Sequence, residues 1–301
     1  MTNYIMGIDV GYSHTKGVTQ RKKDIFRSTV KEGVIDLNTN STVIEYEGEK
    51  LTIGERGRIT VSEDKIEDPN FEPLLMTSIL RLINRGDTDI SVDLVTGLPI
   101  AWYPKQKDKL REFLNNKKIT IGYKGKDRNI HIKNCIIFPQ SAGMALISPN
   151  DFQEGKTNII IDIGGLTVDV SYYDGRKLVK YESYQLGMLK FYGKLRGAIN
   201  AQFNVEVDDL DVERFIEEGT VTVAQQPQQF NFDKHFTAHM DEIMTRIKTD
   251  FPYNTVHKVT FVGGGSIRFE DYLPPHNSIK CDQIKSNADA FYNVGVQKFG
   301  K

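Results

Sequence analysis

Met6-Gly7-Ile8-Asp9-Val10-Gly11-Tyr12-Ser13-His14-Thr15-Lys16 is the stretch from which the rest of the chain is read. An apolar run ends in Asp, one β-branched residue and Gly, then returns through hydroxyl residues to a lysine. The pattern comes back at Ile159-Ile160-Ile161-Asp162-Ile163-Gly164-Gly165-Leu166-Thr167-Val168-Asp169. Asp9 and Asp162 stand 153 residues apart, about half of the 301-residue chain. One apolar–Asp–x–Gly run is weak by itself. Two at half-chain spacing predict two related domains, each opening with a strand, a tight glycine turn and a second strand.

The residue types in these turns suit phosphate and a divalent cation. Mg²⁺ takes one or two carboxylates and keeps several waters, a role open to Asp9 and Asp162 at strand ends. Gly11, Gly164 and Gly165 let backbone amides approach a ligand, because no Cβ intervenes. Tyr12, Ser13, His14, Leu166 and Thr167 complete the two turns, and Lys16 supplies a point charge for a phosphate. An ordinary hairpin with a solvated lysine would read the same if it stood alone. A third piece, Gly263-Gly264-Gly265-Ser266, follows the apolar strand 258–262 and would let a nucleoside lie against backbone. The sequence contains neither GxxxxGK[ST] nor GxGxxG after a strand, which disfavours a P-loop enzyme and a dinucleotide dehydrogenase.

Working outward, hydropathy predicts a hairpin over 41–46 and 50–53 around Glu47-Gly48-Glu49. Helices are expected at 73–84, 104–115 (basic on its outer face) and 139–147, with strands at 92–97 and 129–138. A polar stretch, 150–156, reads as the linker. In the second half, helices are expected at 187–203, 207–218, 236–250 and 287–299, and Gln225-Gln226-Pro227-Gln228-Gln229 as a biased loop. Strands mixed with helices in each half make an α/β protein.

The three glycine segments, in this order and spacing, resemble the superfamily of actin, sugar kinases and heat-shock chaperone ATPases. Within it the sequence is most similar to the bacterial actin-like ATPases of the ParM and Alp type. The segments at 5–18, 138–146, 186–200 and 288–300 carry that likeness along the whole chain. The resemblance implies an actin-like α/β fold of two related domains around a nucleotide cleft. The domains would be 1–155, with the C-terminal helix 288–301 packing back on it, and 156–287. It implies ATP, or GTP, with Mg²⁺, whose waters Asp9 and Asp162 would order, and phosphate contact from Lys16. Gln140 falls where these proteins position the attacking water, which makes Gln140, Asp162 and Asp9 the catalytic candidates. Nucleoside contacts would come from the start of the 187–203 helix, at Gly187, from the acidic 206–218 helix, and from Gly263, Gly264, Gly265 and Ser266. His14 has no counterpart in the expected pattern and reads as solvated or lining the loop.

The implied activity is ATP hydrolysis coupled to filament assembly and disassembly. The implied partners are further copies in a head-to-tail filament and a DNA-bound adaptor, for segregating plasmid or phage DNA. A small-molecule kinase on the same fold is the alternative, since fold does not give function. A non-polymerising scaffold relative is a third class. A kinase needs a second-substrate pocket and a carboxylate base, and no separate motif for either is visible.

Composition narrows the classes. Lys and Arg number 39 against 40 Asp and Glu, so net charge is -1, with 39% hydrophobic and 26% charged residues. That is a globular composition with no electrostatic footprint for direct nucleic-acid binding. No apolar run approaches 18 residues and the N-terminus has no leader pattern, so a cytoplasmic protein without a membrane segment is expected. Cys135 and Cys281 are far apart and outside any CxxC motif, and read as reduced thiols. The acidic 204–218 and basic 105–118 segments offer patches that could steer subunit addition, or simply two solvated helix faces.

Overall fold

The computed structural model describes residues 2–34, 41–55, 59, 62–140, 149–274, 279–280 and 286–300. The expected helix over 139–147 and Cys281 fall outside these, apart from Pro139 and Gln140.

Among the described residues the first sheet has nine strands. At its centre β1 (Thr2–Val10) pairs antiparallel with β2 (His14–Val18) and parallel with β7 (Asp89–Leu98). Beyond β2 lies β3 (Lys23–Arg27). Beyond β7 come β9 (Lys126–Pro139) and β8 (Lys117–Tyr123), then β5 (Thr42–Tyr46), β6 (Glu49–Ile53) and β4 (Val30–Glu32). The turns Glu47-Gly48 and Lys124-Gly125 have positive φ at both residues, which matches the twist of a tight hairpin. The first was legible from its Gly between strand-like runs. The second was not, and the whole strand β8 went unread.

Helices α1 (Phe71–Leu82) and α2 (Tyr103–Leu114) cover this sheet. Pro104 lies in the first turn of α2, whose Leu110 and Leu114 are its buried pair, so a helix rich in lysine needs only a narrow apolar stripe. The core of this half gathers Met6, Ile8 and Val10 of β1 with Leu75, Met76 and Ile79 of α1 and Leu94 of β7.

The second sheet repeats the central arrangement. β10 (Thr157–Ile163) pairs antiparallel with β11 (Val168–Asp174) and parallel with β15 (Lys258–Val262). β12 (Lys177–Tyr184) and β16 (Ile279–Lys280) form the edges. The echo extends to register: Asp9 lies opposite Lys16 in one ladder, and Asp162 opposite Asp169 in the other. Directly opposed residues of an antiparallel pair project to one face, so each half delivers a matched pair of side chains.

Helices α3 (Met188–Phe203), α4 (Asp209–Glu218) and α5 (Phe232–Asp250) pack on this sheet around Phe191, Leu195, Phe215 and Ile243. Asp208 and Asp211 form a capping box at the start of α4. Asn231 caps α5 by accepting from the Lys234 amide at 3.0 Å, so this helix begins one turn before its expected start. The glutamine-rich segment is not a loop. Its Gln226–Gln228 strand (β14) pairs with β13 (Val221–Val223) across a turn at Ala224-Gln225, both at positive φ. Its missing apolar content hid it, since this ribbon is mostly solvated.

The polar stretch at 150–156 is partly anchored. A 3-10 turn, Pro149–Phe152, buries Phe152 against the Tyr173 ring at 5.2 Å. The last helix, α7 (Ser286–Phe299), packs on β1 and β7. A Cβ at Gly7 would come within 2.2 Å of the Tyr292 backbone nitrogen, so this contact requires glycine. No helix among the described residues is long and apolar enough to cross a membrane.

Candidate functional site

The two central hairpins open onto one cleft of about 860 Å³. Gly11, Tyr12, Ser13, His14 and Lys16 line it from the first hairpin. Gly164, Gly165, Leu166 and Thr167 line it from the second. Asp9, Asp162 and Gln140 form its floor, and Gly264 and Gly265 lie on its far side.

Asp9 is the organising carboxylate. It sits near the end of β1, opposite Lys16 of β2, and is 2% exposed. Lys16 donates to its Oδ2 at 3.2 Å, and the Gln140 amide nitrogen donates to its Oδ1 at 2.7 Å. Gln140 follows β9 directly, and its backbone is pinned to Leu98 O at 2.8 Å. Asp162 is buried at the equivalent end of β10 and accepts from Asn287 Nδ2 of α7 at 2.8 Å. Burial raises its pKa, and the Asp9 charge adds to that, against the lowering pull of Lys16 and Asn287.

Opposite Asp162, Asp169 is also buried. It accepts from Thr167 Oγ1 at 3.2 Å and from Ser183 Oγ. Burial lifts it to about 7, against those two hydrogen bonds and with help from the Asp162 and Asp9 charges. Lys65 faces this acidic floor from beneath the first turn. Its Nζ donates to Val10 O at 2.7 Å and stands 3.9 Å from the centre of the Tyr12 ring. Burial lowers it to about 8, although Asp68 and Asp9 oppose the shift.

Three buried carboxylates therefore face two lysines. This donor set suits a hard divalent cation held with its waters. Among the described residues no three His, Cys, Asp or Glu side chains converge as direct metal ligands.

The two turns touch. A Cβ on Gly165 would fall 2.7 Å from Ser13 N, so only glycine allows this approach. Gly187 is packed under the second turn, where a Cβ would meet Gly165 O at 2.5 Å, and its amide donates to Leu166 O at 3.0 Å. Gly263 has φ +86°, and a Cβ there would lie 2.2 Å from Asp162 Oδ1. Ser266 is buried, with Oγ 2.5 Å from Val262 O. Gly187, Gly263 and Ser266 thus support the cleft wall from behind and do not line it. The expected glycine loop at 263–266 is the start of a short helix, α6 (Gly264–Arg268).

Tyr12 has a different place from that of a ligand residue alone. Its hydroxyl donates to Ser62 O, and its ring packs edge-on to Trp102 at 6.2 Å. It props the turn from below. His14 lines the cleft, half-buried, with Nδ1 2.9 Å from Ser13 Oγ.

The outer part of the cleft went largely unnamed from sequence. It is lined by Tyr192, Glu213, Phe230, Phe232, Arg268 and Tyr272, a mixture of rings and charges. Arg27 of β3 crosses to α4 and forks onto Glu213, one bond measuring 3.1 Å, with both side chains largely buried. Gln185 bridges to Glu63 at 2.9 Å on another side. Asp169 and Lys65 were also missed. Asp169 sat inside a recognised segment, where strict alternation marks it as sharing a face with Thr167. Lys65 carried no local signal.

Several charges of the two surface segments are satisfied within the chain. Lys109 pairs with Asp64, Arg196 with Asp209, Arg214 with Asp211 and Arg268 with Glu217. Their capacity to attract another subunit is reduced accordingly.

Residues 7–143 match the family model of the N-terminal domain of actin-like proteins. No curated protein sequence matches the chain. A ParM from Clostridium botulinum, solved as a 15-stranded filament, superposes with a TM-score of 0.84 at 22% identity, over 99% of this chain and 100% of that one. An archaeal actin homolog in complex with ADP superposes with a TM-score of 0.82 at 21% identity, over 98% and 99%. An Alp12 filament structure gives 0.71 at 20% identity, over 99% and 100%. The expected actin-like fold is thus borne out over 98–99% of the chain. The likeness to ParM and Alp proteins holds through the family match at 7–143 and through these structures.

Proposed function

We propose that this chain is a nucleotide-dependent, polymerising actin-like ATPase of the cytoplasm, whose dynamic filaments segregate plasmid or phage DNA through a DNA-bound adaptor. The observation that carries the reading is the meeting of Asp9, Lys16 and Gln140 with Asp162 and Asp169 between two glycine turns. The filaments formed by the ParM and Alp12 relatives support assembly, and the ADP complex of the archaeal homolog supports a nucleotide in the cleft. The near-neutral charge, -1, fits DNA contact through an adaptor rather than directly.

In this reading residues 1–155, together with 288–301, form one domain and 156–287 the other. Backbone amides of Ser13, Gly165 and Leu166 hold phosphate oxygens from opposite sides, with Lys16 neutralising charge. Asp9 and Asp162 would hold the waters of Mg²⁺, which when bound supplies charge stabilisation at the phosphates. Gln140 orients the attacking water. An amide is a poor base, so its contribution is position and not proton abstraction. The nucleoside occupies the ring-lined outer cleft, near Tyr192, Glu213 and Phe232. Closure around a triphosphate shapes a head-to-tail contact, and a contact that does not close on itself builds a helical filament.

The test follows light scattering and pelleting with Mg-ATP, Mg-GTP and Mg-ADP while phosphate release is measured. Scattering should rise above a critical concentration with a triphosphate and fall as phosphate appears. Phosphate release without assembly would replace the filament with a small-molecule kinase. Neither assembly nor turnover would leave a nucleotide-binding scaffold.

A further inference from the structure

His14 lines the cleft at the end of the first turn, and the proposed chemistry gives its side chain no role. Ser13 and Lys16 line the cleft beside it. Ser13 Oγ and His14 Nδ1 are 2.9 Å apart, and Ser13 is the residue against which Gly165 packs. The hydroxyl therefore stands where the two turns meet. His14 and Lys16 are two apart on β2 and share a face, while Arg27 lies opposite His14 in the ladder. The charges around the imidazole are Lys16 on its own strand and Arg27 on β3, with the Glu213 carboxylate of α4 beyond, held by Arg27.

A neutral imidazole tied to a hydroxyl through Nδ1 has two arrangements. In one, Nδ1–H donates to Ser13 Oγ and the hydroxyl proton is directed elsewhere. In the other, Ser13 donates to Nδ1 and the proton sits on Nε2. Either way the pair offers one remaining donor. An imidazolium offers both at once, because Nδ1–H fixes Ser13 as a donor and Nε2–H remains.

We propose that Ser13 and His14 form one donor unit for a phosphate of the bound nucleotide, in which His14 orients the Ser13 hydroxyl and takes up a proton from solvent as the phosphate arrives. The inference rests on the nucleotide reading of the cleft. Burial, then the Lys16 and Arg27 charges, hold His14 down at about 4, so the free protein carries it neutral. A phosphate dianion in reach opposes all three influences. His14 acts through Ser13 and is a positioning residue.

The linkage has a definite sign. Restoring the ordinary imidazole value of about 6.5 against about 4 in the free protein would strengthen binding roughly twentyfold between pH 7 and pH 5, with uptake of about three-quarters of a proton at pH 6. Binding of Mg-ADP and of a non-hydrolysable Mg-ATP analogue is measured by calorimetry from pH 5 to 8, in buffers of different ionisation enthalpy. Subtracting the profile of His14→Gln removes the titration of the nucleotide and of the buried carboxylates. Wild type should exceed the variant in proton uptake and in steepness. His14→Asn keeps a donor near the Nδ1 position, so it should retain near wild-type affinity at pH 7.5 but lose the His14 part of the slope. Ser13→Ala combined with His14→Gln should be little worse than either alone. Circular dichroism confirms that each variant folds. Parallel pH profiles in wild type and His14→Gln, or additive losses in the double variant, would overturn the donor unit while leaving the nucleotide cleft intact. A wild type that binds neither nucleotide at any pH would overturn the cleft reading and this inference with it.

Discussion

Replacing Asp169 with Asn separates the stability of this protein from its proposed chemistry. Asp169 is buried, held by Thr167 and Ser183, and titrates at about 7 because burial and the neighbouring Asp162 and Asp9 charges penalise its anion. In the unfolded chain a carboxyl of this type titrates near 4. The folded state therefore binds the proton more tightly. Its contribution is fully present below about pH 4 and is lost as pH rises through about 7. A difference of about 3 in pKa corresponds to roughly 4 kcal/mol, the cost of carrying this charge in the ligand-free fold at pH 8. The amide has no such titration. It presents an NH₂ to one of two hydroxyl donors, at a cost of about 1–2 kcal/mol unless that hydroxyl turns to accept. Denaturant unfolding without nucleotide or metal should then show the variant within about 1 kcal/mol of wild type at pH 5, where about 1.4 kcal/mol of the contribution is already lost, and about 2–3 kcal/mol stronger at pH 8. In the same preparations Mg-nucleotide should stabilise wild type much more than the variant. A variant weaker than wild type by an equal amount at both pH values would refute the argument, because Asp169 would then titrate alike in both states.

Gly165→Ala should leave the fold cooperative and depress turnover. Its Cβ at 2.7 Å from Ser13 N forces the turns apart by about 0.7 Å to reach ordinary contact, a displacement that can cost up to about 100-fold in rate. Single-turnover phosphate release alongside thermal melting measures both effects. Removing Arg27 or Glu213 opens the bridge between β3 and α4. Stopped-flow release of a fluorescent ADP should quicken in each single variant, with a coupling of about 1–2 kcal/mol in the double-mutant cycle and partial rescue on charge exchange. Phe191 packs on Phe236 at 4.6 Å and Phe269 at 4.9 Å, so Phe191→Ala should cost about 3–5 kcal/mol in urea unfolding, independent of nucleotide.

The elements that bear the site were largely legible. β1 and β10 announce themselves by apolar runs ending in Asp–x–Gly, β2 and β11 as the returns from those turns, and α1, α3 and α5 by apolar spacing at three and four residues. Both signals are local, since a strand or helix must present one face to a core wherever that core lies. β14 was lost because its residues are polar, so alternation carries no contrast there, whereas β8 does alternate, with Ile119, Ile121 and Tyr123 facing the core. The phosphate-side residues were found for a similar reason: glycine, hydroxyl and carboxylate crowd into two short turns.

Adjacency between distant segments could not be read in the same way. Asp169 becomes part of the acidic floor because the β10–β11 register sets it opposite Asp162, and a slip of one residue would have sent it to the other face. Lys65 reaches Val10 O, and Asn287 reaches Asp162, across gaps of 55 and 125 residues. Arg27 and Glu213 are 186 residues apart and meet because β3 flanks β2 while α4 overhangs the second sheet. The composition, the paired Asp–x–Gly turns and the helical periodicities already specify two α/β halves with phosphate-suited turns. The packing of those halves alone joins three carboxylates, two lysines and Gln140 into one floor, because side-chain convergence depends on sheet order and register, which no local pattern encodes.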